Sequence, residues 1–168
     1  MHRLWVLGAC IALVYPLSAI RAQSDADRLA IEVAATRAML GHQYNKGSIS
    51  IDPVEGAEGH APSNPGVGNL RSAIHTEALA KTLSASVRRY SDVTRCTNDR
   101  TQCAMSGTSA HLVLSAPTIR GDTASVTATI YQNSPSKRQL VDYETVLLKL
   151  VRRIGGWTVV KEVQLGIS

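Results

Sequence analysis

The chain has 168 residues, of which 44% are apolar and 18% charged, with a formal net charge of +5. This composition is typical of a globular protein and excludes a fibrous or strongly disordered chain. Its basic residues are scattered and aromatic residues make up only 4% of it, whereas a nucleic-acid binder clusters Arg and Lys and interleaves aromatics for stacking. The composition therefore predicts no nucleic-acid partner.

The first 22 residues read as a secretory signal peptide. Arg3 precedes an apolar run over residues 4–15, and small residues lead to a cleavage site after Ala22. A retained membrane anchor is the alternative, but a span needs about 20 apolar residues, and Pro16 and Arg21 interrupt this run. We expect export to the periplasm or beyond the cell, with no stable membrane span after cleavage.

Two cysteines remain after this cleavage, Cys96 and Cys103. The third, Cys10, lies inside the apolar run with too little sequence before it for a lipoprotein acylation box. A C-x6-C spacing is neither the C-x-x-C of thiol oxidoreductases nor, without a second Cys or His pair, a zinc site. In an oxidising compartment such a pair is expected to be bonded. The sequence predicts a structural disulfide.

Residues 23–168 form one predicted domain of 146 residues (168 minus 22), with a net charge of +3 once Arg3 and Arg21 are removed. Ser24 and Asp27 resemble a capping box, and Gly41 supplies a stop. An amphipathic helix is therefore expected over residues 25–40. Its buried stripe is predicted to contain Leu29, Val33, Thr36 and Leu40.

The next segment contains a short predicted strand, a loop and a second predicted helix. "SISIDP" predicts a short strand, and residues 53–69 are rich in Gly and Pro, which favours a surface loop. A second helix is predicted over residues 72–86. Its apolar side is expected to contain Ile74, Ala78, Leu79 and Leu83.

The periodicity then changes to two, which predicts antiparallel hairpins. Around the turn at residues 120–122, Leu114 is expected opposite Ala128, and Thr118 opposite Ala124. Around Gly155-Gly156, the predicted register places Lys149 opposite Glu162 on a solvated face. The other face of this second hairpin is predicted to lie under the helices, with Val146, Leu148, Leu150, Trp157, Val159 and Val163.

Helices followed by long hairpins predict an α+β fold, with N-terminal helices packed on a curved antiparallel sheet. "DTASVTATIY", "YETVLLKLVRRIGGWTVVKEV" and the N-terminal helix resemble the nuclear-transport-factor-2-like superfamily over residues 24–168. This resemblance implies a cone-shaped domain with a pocket, and it is closest in kind to uncharacterised secreted bacterial members. The superfamily includes isomerases, cyclases, dehydratases and non-catalytic binding or dimerising domains, so the fold alone assigns no function.

Asp142 and Glu144 continue the apolar face of the long strand and are the candidate catalytic acids. Burial would raise their pKa values toward a range useful for acid–base chemistry. The resemblance implies the same role, because acids on the concave sheet face do such work in the isomerases of the superfamily. The alternative is that the strand leaves the core before Glu144, so that both carboxylates are solvated. Alternation along the strand does not decide between the two.

His111 and Tyr131 are predicted to lie level with each other on the more polar face of the first hairpin. They are the candidate binding residues, with a surface pair or a helix-covered contact as the alternative. His42, His60 and His75 lack the spacing of a metal site, and no cofactor motif is present.

Two functions remain open. The first is an exported binding or interaction domain, without catalysis, for an unknown small molecule or protein; a homodimer is one assembly left open. The second is a small pocket enzyme of the isomerase or cyclase kind that uses Asp142 or Glu144.

Overall fold

The computed structural model describes residues 17–43, 46–56, 68–97, 103–134 and 141–167, with side chains from residue 24 onward. Most of the predicted signal peptide and most of the predicted loop at residues 53–69 therefore lie outside the described residues. Leader cleavage and the boundary at residue 22 remain predictions.

The described residues form three helices and nine strands. The helices are α1 (Leu17–Leu40), α2 (Ala73–Leu83) and α3 (Tyr90–Val93). The strands are β1 (Ile49–Ile51), β2 (Ser86–Val87), β3 (Thr94–Cys96), β4 (Cys103–Met105), β5 (Ala110–Leu114), β6 (Thr118–Arg120), β7 (Thr123–Asn133), β8 (Val141–Arg153) and β9 (Gly156–Ile167).

Seven of these strands form one sheet in the order β2-β1-β5-β7-β8-β9, with β6 also paired to β7. The pairs among β5 to β9 are antiparallel, as predicted. The sheet is nevertheless mixed, because β1 runs parallel to both β2 and β5. The α+β class is confirmed, and the expected purely antiparallel sheet is corrected to a mostly antiparallel one.

The main core lies between one face of this sheet and the helices α1 and α2. Alternate residues of the long strands point into it because successive side chains of a strand face opposite sides. The strands contribute Ala110, Leu112 and Leu114 of β5, Ala124, Val126, Ala128 and Ile130 of β7, and Val146, Leu148 and Leu150 of β8. Helix α1 contributes Ile31, Ala35 and Met39, and α2 contributes Leu79.

Helix α1 starts earlier than predicted. It begins at Leu17 and not at residue 25, because no helix breaker stands between Leu17 and Ser24. Asp27 does not cap the helix: its carboxylate accepts hydrogen bonds from Trp157 Nε1 (3.2 Å) and from Arg152. These bonds tie the first half of α1 to the β8–β9 hairpin. The predicted end at Leu40 is confirmed.

Helix α2 is confirmed, but it ends at Leu83 and not at residue 86, because Ser84 takes a left-handed conformation and Ser86–Val87 form β2. Its predicted apolar side is partly wrong. Ser72 caps the helix by accepting a hydrogen bond from the His75 backbone N–H. Leu79 is fully buried, whereas Ile74 is 84% exposed. Thr76 faces the core, and its hydroxyl donates a hydrogen bond to the Ser72 carbonyl oxygen at 3.0 Å.

The first hairpin has two registers. Leu114 lies opposite Ala128 and Leu112 opposite Ile130, as predicted. Nearer the turn, Thr118 lies opposite Ser125 and not Ala124, because the turn is the two-residue Gly121-Asp122. The unpaired residues between β5 and β6 absorb this difference of one residue.

The second hairpin is shifted relative to the prediction. Its turn is Ile154-Gly155, where Gly155 adopts a φ of 102°, and two irregularities shift the register further along. Lys149 consequently lies opposite Lys161, so the predicted Lys149–Glu162 pair is wrong. Val163 lies opposite Leu147, on the side away from the helices.

The Cys96–Cys103 disulfide is confirmed and joins β3 to β4. This small hairpin and α3 contribute residues to a second apolar cluster on the other face of the sheet. The cluster contains Val93, Met105, Val113 and Tyr131. The disulfide therefore belongs to a cap over the sheet face that carries His111 and Tyr131.

Candidate functional site

Helices α1 and α2 enclose a groove of about 380 Å³ at the surface. This volume lies within the range of about 300–1,000 Å³ typical of ligand sites. Consecutive residues of α1 line one wall and the first two turns of α2 line the other, so the groove is a product of helix packing. The lining residues are Asp25, Ala26, Arg28, Leu29, Ser72, Ile74, His75 and Ala78.

A buried carboxylate lies directly behind this groove. The Glu32 side chain is fully buried, and its Oε2 lies 2.8 Å from Nε2 of His75, a residue that lines the groove and is 13% exposed. Glu32 belongs to α1 and His75 to α2, so the contact also joins the two helices. An ionisable pair of this kind at the edge of a cavity is a typical feature of functional sites.

The environment of Glu32 keeps it ionised. Burial alone would raise its pKa, but the hydrogen bond from His75 and the charges of Arg71, His75 and Arg28 outweigh burial, so the pKa lies below its usual value. An ionised carboxylate only accepts hydrogen bonds. His75 must therefore donate from Nε2, which leaves Nδ1 as the nitrogen able to accept or donate elsewhere.

Two arginines compensate the buried charge. Arg28 Nε lies 3.2 Å from Glu32 Oε1, and Arg28 also pairs with Glu55. The fully buried Arg71 lies 3.6 Å from Glu32 and 3.8 Å from Glu55. Two guanidinium groups and two carboxylates thus form a charge-balanced cluster behind the groove.

Arg71 also fixes the cluster to the sheet. Its two terminal nitrogens donate to the main-chain carbonyl groups of Asp52 (2.9 Å) and Leu114 (2.6 Å). These acceptors lie at the ends of β1 and β5. Arg71, which contacts Glu32 behind the groove, is consequently anchored to the sheet.

The predicted pair His111 and Tyr131 lies on the opposite face of the sheet. The two residues are directly opposite each other, with their rings 6.3 Å apart, and both are buried. The Tyr90 ring packs against both in a tilted arrangement, with its centre 4.6 Å from that of Tyr131 and 5.9 Å from that of His111. Burial raises the pKa of the Tyr131 hydroxyl. Their arrangement is the covered contact that the sequence left as an alternative, and their role in binding remains a prediction.

His111 is the centre of a buried polar chain. Its Nδ1 lies 2.9 Å from the Ser50 hydroxyl oxygen, and its Nε2 lies 3.1 Å from Asp52 Oδ2. Burial would raise the pKa of Asp52, but hydrogen bonds from His111, Val54 and Tyr90 lower it below its usual value. All three side chains of the Ser50–His111–Asp52 chain are fully buried. Because the Ser50 hydroxyl has no contact with solvent, we interpret the chain as a structural link between β1, β5 and α3.

Asp142 and Glu144 lie away from the groove. Glu144 is 20% exposed at the end of α1, where its carboxylate pairs with His42 Nδ1 at 3.0 Å and accepts a bond from Gln164. The second nitrogen of His42 lies 3.2 Å from Glu162. Asp142 is half-buried opposite Gln132. Neither candidate acid lines the groove between α1 and α2, and their catalytic role remains a prediction.

Sequence reasoning missed Glu32, His75, Ser50 and Asp52. A signal for Glu32 was present, since it lies three residues after Leu29 and four before Thr36, within the predicted buried stripe. Ser50 and Asp52 share one face of the alternating "SISID" segment. Their common partner His111 is 59 residues further along the chain than Asp52, and only the strand pairing brings them together.

A larger groove of about 610 Å³ lies over strands β6 to β9. Its walls carry threonines, Lys149 and apolar side chains such as Leu147 and Val160. The charged side chains of its lining, Arg120 and Lys149, are exposed, whereas the groove between α1 and α2 is lined by His75, which is hydrogen-bonded to the buried Glu32. We therefore treat the smaller groove as the candidate site.

Other site classes receive no support from the described part of the chain. Within it, no three His, Cys, Asp or Glu side chains are grouped so that they would hold a metal ion. No helix among these residues has the length and apolar character to cross a membrane. Comparisons with protein-family models, curated proteins and solved structures found no match.

Proposed function

We propose that this protein is an exported binding domain that holds a small molecule in the groove between α1 and α2. The single observation that carries the proposal is the groove itself, whose polar wall is held in place by the buried Glu32. Ligand sites combine an apolar lining with a few fixed polar groups, and Leu29, Ile74 and Ala78 provide the apolar part here.

The same proposal includes export to an oxidising compartment and membership of the nuclear-transport-factor-2-like superfamily. The Cys96–Cys103 bond supports export, since disulfides persist mainly outside the cytosol. Helices packed on one face of a mostly antiparallel sheet support the resemblance to the nuclear-transport-factor-2-like superfamily. The small-molecule ligand rests on the groove and not on this resemblance.

A matched pair of variants tests the groove. Ala78→Trp fills it from α2, whereas Thr82→Trp places the same side chain one turn further on, at an exposed residue outside the lining. Small organic molecules detected by saturation-transfer NMR should bind the wild type and Thr82→Trp but not Ala78→Trp. Binding that survives in Ala78→Trp would contradict the proposal, as would ligands that map to the groove over β6 to β9.

A small pocket enzyme of the isomerase or cyclase kind is the second candidate. It is favoured by the Glu32–His75 pair, in which an ionised carboxylate holds the imidazole so that Nδ1 can accept a proton. An enzyme that removes a C–H proton from its ligand exchanges that proton with solvent. Incubation of each detected ligand in D₂O distinguishes the two functions: an unchanged ligand mass supports binding, and incorporation of deuterium supports the enzyme.

A further inference from the structure

We propose that the groove between α1 and α2 selects small organic acids, with the carboxylate on a protonated His75 and the apolar body against Leu29, Ile74 and Ala78. This inference rests on the proposed function, because it requires the groove to be the ligand site. It adds the chemical class of the ligand and a dependence of binding on pH.

The charges behind the groove explain the preference for an anion. Arg28 and Arg71 are matched by Glu32 and Glu55, so these four groups are balanced among themselves. A proton on His75 therefore adds a positive charge with no further partner within the cluster. A carboxylate in the groove supplies that partner.

The geometry of His75 directs this charge toward the ligand. Its Nε2 is occupied by Glu32 at 2.8 Å, so a protonated ring offers Nδ1 as its remaining donor. His75 also belongs to the first turn of α2, an 11-residue helix. The positive end of the helix dipole adds to the attraction for an anion at this position.

Two charged residues of α1 also line the groove, Asp25 and the Arg28 already counted in the cluster. Asp25 opposes an anion, and Arg28 attracts one. Arg28 is already matched within the cluster, so Asp25 gives the groove and the cluster together one net negative charge when His75 is neutral and none when His75 is protonated. The protonation of His75 therefore decides whether an acid is repelled. Loss of this proton should release an acid and leave an uncharged ligand unaffected.

The apolar side of the groove explains why the acid should carry a hydrocarbon body. Ile74 is 84% exposed, although Leu79, five residues further along α2, is fully buried. Leu29 and Ala78 are partly buried beside it in the same lining. A chain of several methylene groups would cover these three side chains, at a gain of about 0.8 kcal/mol for each methylene group fully removed from water.

Three probes of equal length test the inference: hexanoate, 1-hexanol and hexylamine. Each is titrated into the full chain, with its disulfide intact, at about pH 6 and about pH 8, and binding is followed by the NMR shifts of the groove backbone amides. Histidine side chains change charge across this interval. Hexanoate should bind at least about fivefold more tightly at the lower pH, and 1-hexanol should bind equally at both.

Two variants locate the effect. His75→Gln keeps a donor for Glu32 but cannot be protonated, so hexanoate should lose its dependence on pH. Lys81→Gln removes one positive charge from α2 outside the groove lining and should behave as the wild type. The wild-type pH series does not depend on the folding of either variant.

The possible failures are distinguishable. If 1-hexanol or hexylamine binds the groove as tightly as hexanoate at both pH values, the acid preference is wrong and the groove remains a ligand site. If hexanoate binding is independent of pH, or if His75→Gln keeps the dependence, protonation of His75 does not control the binding of the ligand carboxylate. If none of the three probes shifts the groove amides, both this inference and the proposed function lose their support.

Discussion

Replacement of Asp52 by Asn should destabilise the protein although it preserves the shape of the side chain. Asp52 is fully buried and its two oxygens accept three hydrogen bonds. Oδ1 accepts from the Val54 backbone N–H at 2.8 Å. Oδ2 accepts from the Tyr90 backbone N–H at 2.8 Å and from His111 Nε2 at 3.1 Å.

An asparagine at this position has one oxygen and one NH₂ group in place of two oxygens. In either orientation of the amide, the NH₂ group faces a backbone N–H, of Val54 or of Tyr90, and neither can change into an acceptor. Loss of a hydrogen bond to a charged group and a buried unsatisfied donor each cost roughly 1–3 kcal/mol. We expect Asp52→Asn to lower the free energy of unfolding by about 3 kcal/mol and the melting temperature by about 6–12 °C.

Urea and thermal unfolding of the two proteins measure this difference. The matched control is Asp122→Asn, since the Asp122 side chain is 85% exposed at a turn and its loss should change stability by no more than about 0.5 kcal/mol. An Asp52→Asn variant within about 1 kcal/mol of the wild type would refute the argument that the three bonds are needed.

The same residue predicts a dependence on acid pH. The pKa of Asp52 is lower in the folded protein than in the unfolded chain, so its charge stabilises the fold above about pH 4, and this contribution is lost as pH falls through the folded-state pKa. The stability difference between the wild type and Asp52→Asn should therefore shrink toward about pH 2. A difference that stays constant across this range would contradict the assignment.

Three further predictions concern export, the disulfide and Glu144. Mass spectrometry of the exported protein should find a chain that begins near Gln23, and an intact Met1 chain in the membrane would disprove the leader. Reduction of the Cys96–Cys103 bond, which closes a loop of eight residues, should lower the free energy of unfolding by about 2.5 kcal/mol without abolishing the fold; alkylation before reduction should add no mass. Glu144→Gln should change stability by at most about 1 kcal/mol in urea unfolding, because its pair with His42 is partly exposed, and a larger loss would mean that the carboxylate is needed in the core.

Local sequence signals determined much of the framework. Gly41 and Ser72 mark a helix end and a helix start that the structure confirms, because both act through neighbouring backbone groups. The Cys96–Cys103 bond followed from the predicted export and from the C-x6-C spacing, since two cysteines so close on the chain and without other partners have few alternatives in an oxidising compartment. Alternation along β7 and β8 identified their buried faces, because the pleat repeats every two residues.

The tertiary structure decided what depends on residues far apart in the chain. The turn at Ile154-Gly155 and an irregularity between Lys149 and Leu150 together place Lys149 opposite Lys161. The parallel pairing of β1 with β5 brings Ser50 beside His111, a contact that no local pattern encodes. In the same way, only the packing of α1 on α2 places His75 against Glu32, 43 residues earlier in the sequence, because the identity of a buried charge's partner is a property of the folded chain.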